Sequence, residues 1–358
     1  MEPIADYARQ VLEPLAETID REGFYPREFL AGLGQRGGFG ADPGSLAVDL
    51  VRQLEVITEV ARHCGATAFL SWCQSACAWY LAQAPQATVR ERHLAALLSG
   101  ERLAGTGMSN VLKHLAGIES IHLRARPDGE GYIVDGMLPW VSNLDHGHLL
   151  LTAARTGEGR YAMLAIDTAA EGVTLLRCPD FAGMAGTATR NVRLSGVRVA
   201  PGDVLAHPAQ FDAFIAAIKI PVILLQVGIG LGVGTSCVED IARDSALRRE
   251  DNRLLDDGAG ELEAVLAGLR QQALALAAAG GGSGLPSLPV LRLRAAAAEW
   301  VLRAAQSAVL HAGARGYLLQ DPAQRRLREA VFVAIVTPAI KHLRKEIRDL
   351  GLAPAEVA

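Results

Sequence analysis

Through the first hundred positions, apolar residues recur at three- and four-residue spacing: Ile4, Ala8, Val11, Leu12 and Leu15, then Leu50, Val51, Leu54 and Ile57. That period predicts amphipathic helices, punctuated by Pro26, by the glycines between Gly32 and Gly40, and by Pro43. From about residue 103 the period becomes two. Ile121 to Arg126 alternates strictly, Asn191–Leu194 and Val197–Val199 alternate on either side of Ser195-Gly196, and Leu149–Ala153 and Tyr161–Ile166 are almost continuously apolar. These runs predict strands joined by turns. From Gln210 onward the helical pattern returns, rich in Ala and Leu, and Gly280–Gly284 with Pro286 and Pro289 reads as an exposed loop between long helices. Helices, then strands, then helices indicate an α+β fold and not alternating βαβ units.

Ile220 to Val238 carries no charge and is long enough to cross a bilayer on hydropathy alone. It also holds Pro221, Gln226 and four glycines, with no second span, basic flank or aromatic belt. A helix buried on all sides, in a bundle or a subunit interface, is the expectation. The chain of 358 residues, 50% hydrophobic, is large enough for two or three cores. A net charge of −4 gives no basic surface for nucleic acid. Cys64, Cys73, Cys77, Cys178 and Cys237 have neither disulfide nor zinc spacing, and Cys73 and Cys77 sit at i,i+4 like paired core thiols. Met1–Asp6 has no basic or apolar leader pattern, so a cytoplasmic protein is expected.

The most informative stretch is Gly131–Asn143. It reads as a strand (Tyr132 to Val134), a turn at Asp135-Gly136, and a second strand carrying Trp140 and Ser142. Residues two apart on a strand share a face, so the indole and the hydroxyl would lie side by side, which suits a flat, polar-edged ligand such as a flavin ring. The alternative is a buried Trp with a Ser in a sheet. Asp145, His146 and His148 follow; the arrangement could bind metal, but it reads as a solvated loop between strands, and no metal site is expected.

With Trp-Val-Ser-Asn in place, Met184–Leu205, Gly313-Ala-Arg-Gly-Tyr317 and Arg325-Arg-Leu-Arg-Glu-Ala330 complete four motifs in register. Together they resemble the acyl-CoA dehydrogenase superfamily along essentially the whole chain. The resemblance implies an N-terminal α-helical domain over 1–102, a central antiparallel β domain over 103–206 and a C-terminal four-helix bundle over 207–358. It also implies FAD rather than FMN, bound between β domain and bundle, with an acyl thioester as substrate and assembly as dimer or tetramer. Carried over by position, Trp140 covers the flavin, Ser142 stands near its N5, and Thr106, Gly107 and Met108 run along its edge. Lys113 replaces a small residue at the pyrophosphate, either as a point charge for phosphate or as a solvated lysine. Arg249 (with Arg248 and Arg253), Gly313 and Thr337 complete the implied cofactor set. His114 beside Lys113 reads as a turn or packing histidine, and Phe69–Gln74 as pocket lining or apolar core.

The catalytic base departs from the family. Aligned through Ile340–Arg344, Ile335 stands where the family has its glutamate, and the alternative position near Lys219 and Ile220 also lacks a carboxylate. Asp212 and Glu239 are out of register to substitute. Three functions follow: an FAD-dependent acyl-thioester oxidoreductase with its base elsewhere; a flavin monooxygenase needing no such base, with His342 or Ser142 steadying a peroxide; or a non-catalytic subunit paired with a homologue. Neither nucleic acid nor membrane is an expected partner.

Overall fold

The computed structural model describes residues 2–247, 249–280 and 284–352, so residues 281–283 of the glycine-rich loop and Arg248 lie outside the described residues. The chain opens with helices α1 (Glu2–Tyr7), α2 (Ala16–Glu22), α3 (Arg27–Gln35), α4 (Leu50–His63), α5 (Gly65–Gln83) and α6 (Ala87–Leu98). Strand β1 (Ala104–Thr106) leads into helix α7 (Met108–Leu115). Strands β2 (Arg124–Asp128), β3 (Gly131–Val141), β4 (Leu149–Gly157), β5 (Arg160–Asp167), β6 (Val173–Arg177), β7 (Arg190–Val199) and β8 (Val204–Ala206) follow. Helices α8 (Phe211–Leu247), α9 (Arg249–Asn252), α10 (Ala259–Ala279), α11 (Ser287–Ala312), α12 (Pro322–Ile335) and α13 (Ile340–Leu352) close it. This is the α+β order that the change of period predicts.

Local chemistry sets several boundaries. The Asp49 carboxylate accepts the Arg52 N–H at 2.7 Å and caps α4. Asp321 does the same for Ala323 at 2.9 Å, with Pro322 as the first helical residue of α12.

The sheet runs β6-β7-β3-β2-β4-β5-β8, with β1 also pairing β4. It is mixed rather than antiparallel, because β1–β4 and β2–β4 are parallel. Two turns expected from sequence are absent. Asp135-Gly136 and Ser195-Gly196 lie inside continuous strands, β3 and β7, which pair antiparallel on both sides of that point with a register shift between Val134 and Gly136. The two glycines absorb the irregularity at φ 134° and 64°, and the Gly196 N–H bonds the Asp135 carboxylate at 2.7 Å. A long cross-strand partner outweighs the local turn signal, giving a bulge where a hairpin was expected. On β4, Leu149, Leu151 and Ala153 face the helices while Leu150 and Ala154 face the sheet's own core. Burial on both faces explains the continuous apolar run.

The N- and C-terminal helices share one hydrophobic core and the sheet encloses a second. Helix α8 holds the uncharged Ile220–Val238 segment; it is long and apolar enough to cross a membrane, yet 83% of its most apolar window is buried inside the protein. Its glycines permit that burial. A Cβ at Gly232 would fall 2.1 Å from the Thr58 carbonyl oxygen of α4, and one at Gly234 would fall 2.0 Å from the Trp300 ring of α11. All five cysteines are free and buried.

Candidate functional site

The site forms where the end of β3 meets β1. Between Leu138 and Val141, β3 holds one more residue than β7 opposite it. This bulge places Trp140 at φ 56°, left-handed backbone that a bulky residue occupies only under strain. Its N–H bonds the Asn191 side chain at 3.2 Å. The indole stands 62% exposed, with Phe181 edge-on at 5.7 Å between ring centres. The face-sharing argument for Trp140 and Ser142 does not hold, since it requires extended backbone. Ser142 is half-buried, and its hydroxyl is 2.6 Å from that of Thr189, which meets Thr187 at 2.8 Å.

Asn143 anchors the motif. It too is left-handed, at φ 61°, a conformation asparagine tolerates better than most. Fully buried, it accepts the Tyr25 hydroxyl at 2.6 Å and donates to the Ala104 carbonyl at 2.7 Å, joining β3 to β1. Asp145 and His148 are held by Arg27, which reaches Asp145 at 3.6 Å and His148 Nε2 at 2.7 Å. Among the described residues no group of three metal-ligating side chains occurs. Burial, then Arg27, holds the His148 pKa below its ordinary value, against the raising effect of the Nδ1 hydrogen bond to the Asn143 carbonyl.

Two glycines let β3 lie against β1. A Cβ at Gly105 would fall 2.4 Å from the Ser142 carbonyl oxygen, and one at Gly107 would fall 2.7 Å from Thr152 and 3.0 Å from Leu138. Thr106 turns its hydroxyl to Tyr80 at 3.3 Å, and Met108 is buried. Where the resemblance implies a backbone cradle, the chain forms helix α7, whose first turn has no side-chain cap. Its uncapped N–H groups suit an anion. Lys113 is not a free cation: it lies 3.5 Å from Glu119. His114 packs edge-on against Tyr161 and bonds the Glu119 carbonyl at 3.1 Å, as a packing histidine.

The bundle closes the site from the other side. Ser109 of α7 and Thr337 share a hydroxyl–hydroxyl bond of 2.8 Å. Ile335 ends α12 with 64% of its surface exposed. The side chain that reaches the β domain from this turn is therefore Thr337 and not Ile335, and neither offers a carboxylate. Sequence reasoning missed Glu346, which arrives from α13 and meets Lys219 of α8 at 2.5 Å. No local signal marks it, because the two residues are 127 positions apart. His342 lies one turn earlier on α13; burial, with Lys341 and Lys113, lowers its pKa. Phe69 and Trp72 of α5 stack at 5.5 Å, Phe332 meets Phe69 edge-on, and the Trp72 N–H bonds the Val222 carbonyl at 2.9 Å.

One implied cofactor residue, Gly313, stands apart. It follows α11, 19 residues beyond Arg294, which is linked through Gln226 to the Thr337 carbonyl; that is about 28 Å along a helix. Arg249 begins α9, and its side chain lies outside the described residues; Arg253 pairs with Glu250 at 3.3 Å. An open cavity of about 620 Å³ adjoins α7, lined by His114, Arg124, Arg155, Thr156 and Tyr161 among others.

An exposed indole, convergent hydroxyls and an uncapped helix start fit a flat ring bearing an anionic tail. Residues 1–101 match the family described as acyl-CoA dehydrogenase, N-terminal domain. The chain is 25% identical over 248 residues to probable acyl-CoA dehydrogenase YngJ of Bacillus subtilis, covering 64% of this chain and 63% of that protein's length. By its N-terminal domain and by this relative, the chain is similar to the acyl-CoA dehydrogenases. Butyryl-CoA dehydrogenase from Megasphaera elsdenii superposes with a TM-score of 0.86 at 16% identity, over 98% of this chain and 97% of that one. A glutaryl-CoA dehydrogenase from Mycobacterium smegmatis, in complex with FADH2, gives 0.83 at 15% identity, over 99% and 94%. These likenesses show that the acyl-CoA dehydrogenase fold extends over the whole chain.

Proposed function

We propose that this chain is an FAD-dependent oxidoreductase acting on an acyl thioester. The observation that carries the reading is Trp140, held in a strained conformation on the β3 bulge with most of its ring open. Strain retained on an exposed aromatic is explained by a ligand that uses it. Trp140 would cover the ring, Ser142, Ser109 and Thr337 would offer hydroxyls at its edges, and the start of α7 would face the anionic tail. The bound flavin supplies a hydride acceptor. The ~620 Å³ cavity fits the phosphates of a coenzyme A arm, because the Arg124 and Arg155 guanidiniums have no carboxylate partner among the described residues. Phe69, Trp72 and Phe332 would wall the acyl chain.

Removing an α-proton requires a positioned base. We assign that role to Glu346, the described carboxylate that reaches the α8 position where some relatives carry theirs, held there by its contact with Lys219. The exposed apolar run Leu310, Tyr317, Leu318 and Leu319 fits self-association, and five buried free thiols suit a reducing cytoplasm. The test is flavin absorbance of the purified chain, then anaerobic bleaching by a panel of acyl-CoA thioesters. Wild type is expected to be yellow and to bleach; Glu346→Gln is expected to stay yellow and not bleach. A colourless wild type that takes up no FAD ends the redox reading, and bleaching by Glu346→Gln removes that residue from the chemistry.

A further inference from the structure

Arg294, on the second turn of α11, is 1% exposed and among the largest fully buried side chains in the protein. It forms no ion pair among the described residues, and burial alone lowers its pKa to about 10, so it stays charged at neutral pH. Its Nε donates to Gln226 Oε1 at 3.1 Å and its Nη2 to the Val333 carbonyl at 2.6 Å. Nη1 is buried without a partner. Gln226, itself 1% exposed, passes the link on: its Nε2 donates to the Thr337 carbonyl at 2.9 Å. Thr337 then meets Ser109 across the seam at 2.8 Å. The Val333 carbonyl belongs to the last turn of α12, whose carbonyls lack helical partners and favour a cation.

An unpaired buried cation is costly, and packing alone would be better served by an apolar side chain. We propose that Arg294 is a positioning residue: acting through Gln226, it fixes the end of α12 and the Thr337 turn so that Thr337 faces the flavin crevice. This rests on the function proposed above. The residues that link Arg294 to Thr337 and the crevice come from α7, α8, α11 and α12, joined by a chain of three hydrogen bonds.

Gln226→Glu separates positioning from packing. It keeps an acceptor for Arg294 and supplies a counter-charge, but removes the donor to the Thr337 carbonyl. The FAD-free variant is expected to melt no lower than wild type. Amide exchange at Val336, whose N–H bonds the Phe332 carbonyl at 2.8 Å, is expected to accelerate about ten-fold while amides of β4 keep their wild-type rates. The FAD dissociation constant is expected to rise by about the same factor. Arg294→Gln, which withdraws the charge instead, is expected to reproduce the faster exchange and decides the matter if the first variant fails to fold. Val336 exchange within about two-fold of wild type in the folded variants overturns the proposal. A wild-type chain that binds no FAD sinks the proposed function, yet the exchange measurement still decides the role of Arg294.

Discussion

Replacing Trp140 by Ala and, separately, by Gly tests whether its backbone is strained for a purpose. Both substitutions remove the ring. With 62% of the side chain open, only about a third of its roughly 200 Å² is covered, so its loss costs about 2 kcal/mol in either variant. The difference between the two isolates the backbone. At ordinary positions Gly is about 0.5–1 kcal/mol less stable than Ala because it gives up more chain entropy. At φ 56° an alanine Cβ crowds the carbonyl at a cost of about 1–2 kcal/mol that Gly avoids. The order should therefore invert, with Trp140→Gly more stable than Trp140→Ala by about 0.5–1 kcal/mol. Urea unfolding of the FAD-free chains resolves that gap as a shift in midpoint at constant slope. Both variants should also lose bound flavin. Equal stabilities, or the Ala variant ahead, would show that the bulge relaxes freely, and strain at Trp140 would no longer point to a ligand.

Gly105→Ala drives a Cβ to within 2.4 Å of the Ser142 carbonyl, so β3 must move off β1; overpacking of this kind costs about 1–3 kcal/mol, and flavin content should fall with it, read by absorbance against protein concentration. Retention of full flavin by that variant would detach the β1–β3 contact from the site. His148 gives a pH dependence of definite sign. Its folded pKa is depressed, first by burial, with Nδ1 engaged by the Asn143 carbonyl and Nε2 facing the Arg27 guanidinium. Below the unfolded value of 6.5 the unfolded chain takes the proton more readily, so stability should decline as pH falls from 6.5. His148→Gln should flatten that stretch of the melting-temperature profile, and an unchanged profile would place the titration elsewhere.

Much of the architecture was legible because periodicity is a local property. Three- and four-residue spacing marked the flanking helices, alternation marked the strands, and the uncharged run of α8 announced a helix buried on every side. The Trp-Val-Ser-Asn motif drew attention to the stretch where the structure puts its β3 bulge, but the left-handed backbone of Trp140 and Asn143 was not read from it. The sequence also pointed to two tight turns that do not exist. Asp135-Gly136 and Ser195-Gly196 carry turn chemistry, but β3 and β7 offer each other a ladder that neither dipeptide can reveal.

What the letters determined by themselves was the order of helical and strand zones, since periodicity is written in nearby residues. Tertiary structure alone decided which side chains meet: Trp140 outward on a bulge, Lys113 spent on Glu119, Glu346 delivered to Lys219, and Arg294 buried against Gln226 and the Val333 carbonyl. Those outcomes depend on contacts between residues far apart in the chain, whose geometry is set by the packing of whole helices and strands and leaves no periodic trace.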